Sequence, residues 1–353
     1  MISRSASQLL AIAFASATSS AVAIAVVGPA RGDASSRMPA PATSSYARGD
    51  RADRDAACAK CHGAIAREHD TSLHARSFVD ASFQRGYAIE PEAFCRSCHA
   101  PESAPANEPD AFARSHGVAC VSCHVPAGGA SDAVVTAPST HERATRPPHA
   151  VTRVADFGTR ACTSCHDFAF PGADPLGDKG RMQKTAREHA MSSARDQACT
   201  SCHMKRSEGH ASHRFAVASD RNLLAGSLDV QIAREADDRV RFVVSANGVG
   251  HAFPTGDLFR RLVLRVHTPR GTIENAFERH FRAQRDPANP SAPAVRFETI
   301  DTRLSPSRTV TLKAPAGSSW EVVYQRVTAV GQTPPFAVTV ESELSLRTGT
   351  IPP

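Results

Sequence analysis

The chain has 353 residues and a formal net charge of +6, enough length for two modest domains once a targeting segment is set aside. One Trp and three Tyr are few for this size, and the central half lacks the long apolar runs of an ordinary side-chain core, so something other than side chains must fill that half. The charge by itself carries no claim for nucleic-acid binding. At the N-terminus, Arg4 supplies a positive start and residues 9 to 27 form a weakly apolar stretch. Small residues follow, with cleavage sites near Ala30 or Ala34, so residues 1–34 read as a signal peptide. A stretch of about 20 apolar residues can also span a bilayer as an anchor. Ser and Thr dilute this one, and cleavage is the preferred reading. The product is then soluble or peripherally attached to a membrane, in the periplasm or on the extracellular face. Residues 35–55, rich in Ala, Ser, Pro and Arg, read as a flexible leader.

Residues 56–218 hold all ten cysteines, and every one belongs to a single pattern: Cys58-x-x-Cys61-His62, Cys95-x-x-Cys98-His99, Cys120-x-x-Cys123-His124, Cys162-x-x-Cys165-His166 and Cys199-x-x-Cys202-His203. C-x-x-C-H is the attachment signature of haem c. Thiols three positions apart reach two vinyl groups on one porphyrin edge, and the next His binds iron as the proximal ligand. Disulfides and zinc are the common alternatives for such pairs. Neither explains a His after all five pairs when only 16 of 353 residues are His, and no Cys is left over for a disulfide. Five haem c are therefore expected, and their propionates offset the formal positive charge.

Eleven further His and few Met favour a second His on most of the irons, which implies lower potentials than His/Met ligation. The distal candidates are His74, His116, His149, His213 and His251, with His189 in reserve and His141, His210 and His69 below it. His267 and His280 read as ordinary strand or surface residues. Ala66-Arg-Glu-His69 recurs as Ala186-Arg-Glu-His189, but the second copy has no counterpart of His74. This suggests a duplicated helix-plus-haem unit in which His69 and His189 are equivalent helix residues. Motif spacings of 37, 25, 42 and 37 residues leave room for short helices and loops wrapped around the haems, with no sheet of consequence.

From residue 219 to 353 the pattern changes to period-two alternation. Leu262, Leu264 and Val266 share one face, as do Val310 and Leu312, and then Val338, Val340, Leu344 and Leu346. Asp229–Ala233, Arg239–Ala246 and Ser319–Val327 are further strand-like runs. Six to eight short strands at this spacing predict an antiparallel β-sandwich-like domain, read first as a rigid cover or docking surface.

These residues resemble a multihaem cytochrome c family related to the tetrahaem electron carrier of hydroxylamine oxidoreductase. The similar features are the first motif followed by Ser-Leu-His74-Ala-Arg, the run Gly117-Val-Ala-Cys120, the Pro148-His149 pair and Cys199-Thr-Ser-Cys202-His203-Met204 with His213-Arg-Phe after it. Gly250-His251-Ala-Phe-Pro254-Thr-Gly256 with Arg260-Arg261 looks like the β-domain behind the haem region in some bacterial members. The resemblance covers most of residues 56 to 270. It implies closely packed haems in parallel-stacked and perpendicular pairs, although this chain has five motifs where that carrier has four.

The function expected from the sequence is extracytoplasmic electron transfer, with a quinol dehydrogenase, a reductase or an outer-membrane conduit as redox partner and no nucleic acid. The alternative is a multihaem reductase of nitrite, hydroxylamine or a sulfur oxyanion. That requires one iron with an open distal site beside donors such as Arg or Tyr.

Overall fold

The computed structural model describes residues 48–103, 108–125, 135–138, 149–174, 176–215, 220–235, 238–285, 287–289, 294–330 and 338–353. The expected signal peptide, the first part of the leader and His141 lie outside these residues. No described helix is long and apolar enough to cross a membrane.

The cysteine-bearing half is built from short helices, α1 (Arg48–Cys61), α2 (Gly63–Asp70), α3 (Ala81–Ile89), α4 (Ala93–His99), α5 (Ala111–His116) and α6 (Cys120–His124). Two strands, β1 (Val135–Pro138) and β2 (Val151–Val154), pair in parallel. Then come α7 (Phe157–His166), the β3 (Asp167–Ala169) and β4 (Arg181–Lys184) hairpin, α8 (Thr185–Ala190), α9 (Cys199–His203) and a two-residue ladder of β5 (Arg206–Ser207) and β6 (His210–Ala211). The leader expected over 35–55 is thus overlapped by α1 from Arg48 onward. Local chemistry sets the helix ends. The Asp80 carboxylate accepts from the Ser82 and Phe83 N–H groups at the start of α3, and Asp110 accepts from Ala113 at the start of α5. Buried apolar side chains in this half form only small groups, Phe78 with Ala100 and Ala113, and Ala119 with Val121 and Val125.

After α10 (Arg221–Gly226) the chain is all strand: β7 (Leu228–Arg234), β8 (Arg239–Ala246), β9 (Arg260–Thr268), β10 (Gly271–Phe277), β11 (Arg279–Gln284), β12 (Val295–Asp301), β13 (Ser307–Lys313), β14 (Ser319–Val330) and β15 (Val338–Thr350). One antiparallel sheet runs β10-β9-β14-β15 and a second runs β13-β8-β7, while β11 and β12 form a separate hairpin. The sandwich core lies between the two main sheets, where Val240, Phe242 and Val244 meet Leu262, Leu264, Val266, Trp320 and Val322. Phe242 sits edge-on to Trp320 at 6.1 Å. Two details depart from simple alternation. On β9 the other face is buried too, because Arg261 donates to Gln325 at 2.7 Å and pairs with Glu278, so its polar atoms are satisfied without water. On β14–β15, register shifts between Val322 and Val330 break the period, and Val340 ends up exposed while Leu346 is buried.

Polar contacts tie the two halves together. Lys184 bonds Glu298 at 2.8 Å and Asp301 at 3.0 Å, Arg279 donates to the Arg181 and Met182 carbonyls, and Ser82 donates to Glu341 at 2.8 Å.

Candidate functional site

All ten cysteines and all five motif His line one cavity of about 2330 Å³, well beyond the roughly 300–1,000 Å³ of small-molecule pockets. Each motif places its two cysteines one helical turn apart, on α1, α4, α6, α7 and α9 in turn, so both thiols face the same way. Burial pushes Cys95 up to about 11 and Cys123 to about 12, which keeps these two neutral near pH 7, whereas contact with Cys98 and Cys162 pulls Cys165 and Cys199 down.

The cysteines also show which motifs are neighbours. Cys98 lies close enough to Cys165 to interact with it, and so does Cys162 to Cys199. Cys123 lies close enough to Cys165, and Cys58 to Cys120, for their charges to interact. The fourth motif therefore borders the second, third and fifth, and the first borders the third.

Four motif His each face a second His ring across a nearly constant gap. The ring centres are 6.4 Å apart for His62 and His149, 6.3 Å for His166 and His74, 6.3 Å for His124 and His213, and 6.2 Å for His203 and His251. An imidazole nitrogen binds a metal at about 2 Å, so two imidazoles on opposite sides of one ion put their ring centres about 6 Å apart. The protonation pattern fits as well. Nδ1 contacts a carbonyl oxygen in His124 (Thr136, 2.8 Å), His213 (Ala211, 2.8 Å) and His251 (Ala252, 3.0 Å), and the Gln183 amide oxygen in His166 at 3.1 Å. A ring that donates from Nδ1 keeps the Nε2 lone pair for a metal. Burial holds His74 down to about 3 and His213 to about 4, so both are neutral near pH 7.

The remaining His are placed differently. His116 is not among the residues lining the cavity: its ring packs tilted against Phe112, and Nδ1 contacts the Phe112 carbonyl and the Ser115 hydroxyl. Of the five distal candidates it alone faces no motif His. His69 and His210 line the cavity but turn Nε2 to the Val118 carbonyl at 2.8 Å and to Glu68 at 3.2 Å. His189 lies against Gly250, next to His251. His280 is buried and bonded to Glu278 at 3.1 Å.

The remaining motif His, His99 of the second motif, has different company. Its Nδ1 lies 2.7 Å from the Ser77 carbonyl, and its ring stacks on Phe83 at 3.8 Å. No His ring among the described residues faces it across a 6 Å gap. Burial lowers its affinity for a proton, and the Asp257 and Arg326 charges of the β-domain also act on it.

Two carboxylates not singled out in the sequence organise the ring pairs. Glu68 accepts the His213 backbone N–H at 2.9 Å, and Glu188 accepts the Ala252 N–H at 3.2 Å, beside His251. They occupy the same place in the two Ala-Arg-Glu-His copies, so the internal echo marks two equivalent brackets, each gripping the segment that presents a facing His. Ala194 stands in the second copy where His74 stands in the first, and a Cβ at Gly250 would come within 2.8 Å of it. His74 has its own brace. Val118 N–H donates to the His74 carbonyl at 3.0 Å, and Gly117, at φ +54°, would push a Cβ to 2.5 Å from that oxygen, so only glycine fits there.

Comparison with known proteins yields no matching family model and no matching curated protein. Among solved structures, the chain is similar to a penta-haem cytochrome c552 from Thermochromatium tepidum. The TM-score is 0.59 at 22% identity, over 83% of this chain and 97% of that one. The likeness is one of fold.

Proposed function

We propose that the chain is an electron-transfer protein carrying five covalent haem c groups, held by Cys58/Cys61, Cys95/Cys98, Cys120/Cys123, Cys162/Cys165 and Cys199/Cys202, with His62, His99, His124, His166 and His203 as proximal ligands. The observation that carries this reading is the set of four His pairs with ring centres 6.2–6.4 Å apart in the cavity that holds every motif. His149, His213, His74 and His251 are the second ligands of the first, third, fourth and fifth motifs. Haem bound in this way supplies one-electron redox chemistry, and paired imidazoles set it at lower potential than a thioether ligand would.

The protein's own contribution is placement. Its carbonyls orient the imidazoles, burial keeps His74 and His213 neutral near pH 7, and its cysteine contacts bring neighbouring motifs together. Those contacts describe a branched route. The fourth motif is the junction, the first motif is reached through the third, and the second and fifth are separate ends. Export through the expected signal peptide places the protein outside the cytoplasm, where a quinol dehydrogenase, a reductase or an outer-membrane conduit is the class of partner.

The test is the haem content and spin state of the purified, exported protein. Five haems per chain by mass, with at least four low-spin ferric irons by EPR, is the expected result. Fewer than five attached groups, or a majority of high-spin irons, would overturn the reading.

A further inference from the structure

The His of the fourth motif is oriented in its own way. His99, His124, His213 and His251 turn Nδ1 to main-chain carbonyls. His166 turns it to the side-chain amide oxygen of Gln183, 3.1 Å away. His166 also faces His74 with ring centres 6.3 Å apart, so Nε2 is the nitrogen left for a metal and Nδ1 carries the proton. The ring then donates and the amide oxygen accepts. A main-chain carbonyl is fixed by the fold, whereas an amide acceptor works only where its side chain is held.

Gln183 lies on β4, and β4 pairs with β3, which starts directly after His166. The register sets Phe168 against Gln183 and Asp167 against Lys184. Both flanks of Gln183 are gripped from the strand half. Arg279 of β11, 5% exposed, donates from Nη1 to the Met182 carbonyl at 2.8 Å and from Nη2 to the Arg181 carbonyl at 2.7 Å. On the other flank, Lys184 Nζ lies 2.8 Å from Glu298 and 3.0 Å from Asp301, both on β12. Glu298 also accepts from Arg279, so the two grips are one network. Phe170, just past β3, packs edge-on to Phe281 of β11 at 5.4 Å. The β11–β12 hairpin stands outside the two main sheets, and among the described residues none of its side chains belongs to the sandwich core. Its buried contacts are spent on the strand that carries Gln183. A hydrogen bond donated from Nδ1 makes an imidazole a more basic ligand, and a more basic ligand favours ferric iron and lowers the potential.

We propose that Gln183 is a positioning residue that lowers the potential of the fourth haem through His166, and that the β11–β12 hairpin holds it there. Resting on the haem reading above, this gives the strand half a part in electron transfer: it sets the driving force at the junction of the branched route.

Spectropotentiometric titration of the full-length holoprotein tests this, after five haems per chain have been counted by mass. A deficit in that count defeats the electron-transfer reading itself and is separate from the outcomes that follow. In Gln183→Leu one of the five midpoints rises and four stay. The rise is a change of up to about tenfold in one reduction equilibrium, the loss of one hydrogen bond, or about 59 mV for one electron. Gln183→Glu keeps an acceptor oxygen whether or not it ionises, and leaves that midpoint at or below its wild-type value. Arg279→Lys keeps the charge but loses the fork over two carbonyls, and raises the same midpoint by less than Gln183→Leu does. Five unchanged midpoints in Gln183→Leu, or all five moved together, would overturn the role of Gln183. A shift in Gln183→Leu with none in Arg279→Lys would overturn the part given to the hairpin.

Discussion

Whether a histidine can hold iron is settled by what its other nitrogen does, and for three of the motif His that partner lies 12 to 22 positions away in the chain. His124 depends on the carbonyl of Thr136 and His99 on that of Ser77. His69, five positions before His74, spends Nε2 on Val118 and has nothing left to give. Motif cysteines and proximal His were legible because their spacing is local. The choice between His69 and His74 was not, because it is made at Val118, 49 positions from His69, nor was the choice between His116 and His149, because His149 faces His62 far back in the chain. The pairing carries a residue-level prediction. Replacing His149, His213, His74 or His251 by Ala should each turn one low-spin ferric iron of the holoprotein high-spin in EPR, while His116→Ala should leave the spectrum as it is. A His213→Ala protein with an unchanged spectrum would show that His213 and His124 do not share a metal.

Short elements in the cysteine-bearing half are positioned by side chains that reach across sequence rather than by strong local preference. Helices of five to ten residues are marginal in isolation, and α6 and α9 are of that kind. Their fixed points are external. Gly158 on α7 lets Thr200 of α9 approach so closely that a Cβ there would meet its hydroxyl at 2.4 Å, and the contact joins the fourth motif to the fifth. Glu188 on α8 grips the His251 segment through Ala252 and also the Thr255 hydroxyl, and it forms an ion pair with buried Arg303. The Ala-Arg-Glu-His echo is visible in the sequence, but the role of its Glu is not. A carboxylate in a short amphipathic helix looks like an ordinary solvated charge until its partners are known. Glu188→Ala should destabilise the protein by about 3 kcal/mol, the low end for breaking a buried ion pair, since Asp301 still holds Arg303. Glu188→Gln, which keeps one acceptor, should lose less. Guanidinium unfolding of the holoproteins, followed by far-UV circular dichroism, measures both.

Across the whole molecule the two halves are held by different physics, and the strand half was the more legible because alternation reports a buried face directly. Its paired carboxylates make it sensitive to acid. Burial alone would raise Asp301, Asp257 and Glu278, but Arg303 and Lys184, Arg260 and Arg326, and His280 with Arg261 outweigh it and hold the three below their ordinary range. The unfolded chain therefore takes up these protons first. Their contribution is complete above about pH 4.5 and is lost as pH falls below it, and it adds to the loss that begins below about pH 6.5 from His residues that burial keeps neutral, such as His74 and His213, so the unfolding midpoint should fall gradually from pH 7 to 5 and steeply between pH 4 and 3. The cysteine-bearing half has no comparable reserve. Among the described residues its buried apolar clusters are two sets of three, whereas the large core belongs entirely to residues 224–351. A cavity of about 2330 Å³ inside so small a half cannot stay open without contents, because its walls give up their packing partners. A chain with all ten Cys replaced by Ser, and so unable to attach haem, should keep the sandwich and lose the rest. Limited proteolysis should then cut freely before residue 220 and leave a resistant fragment from about Arg221 to the C-terminus, while the holoprotein resists throughout. Equal protection of residues 56–215 in both forms would mean that side-chain packing alone suffices to hold that half.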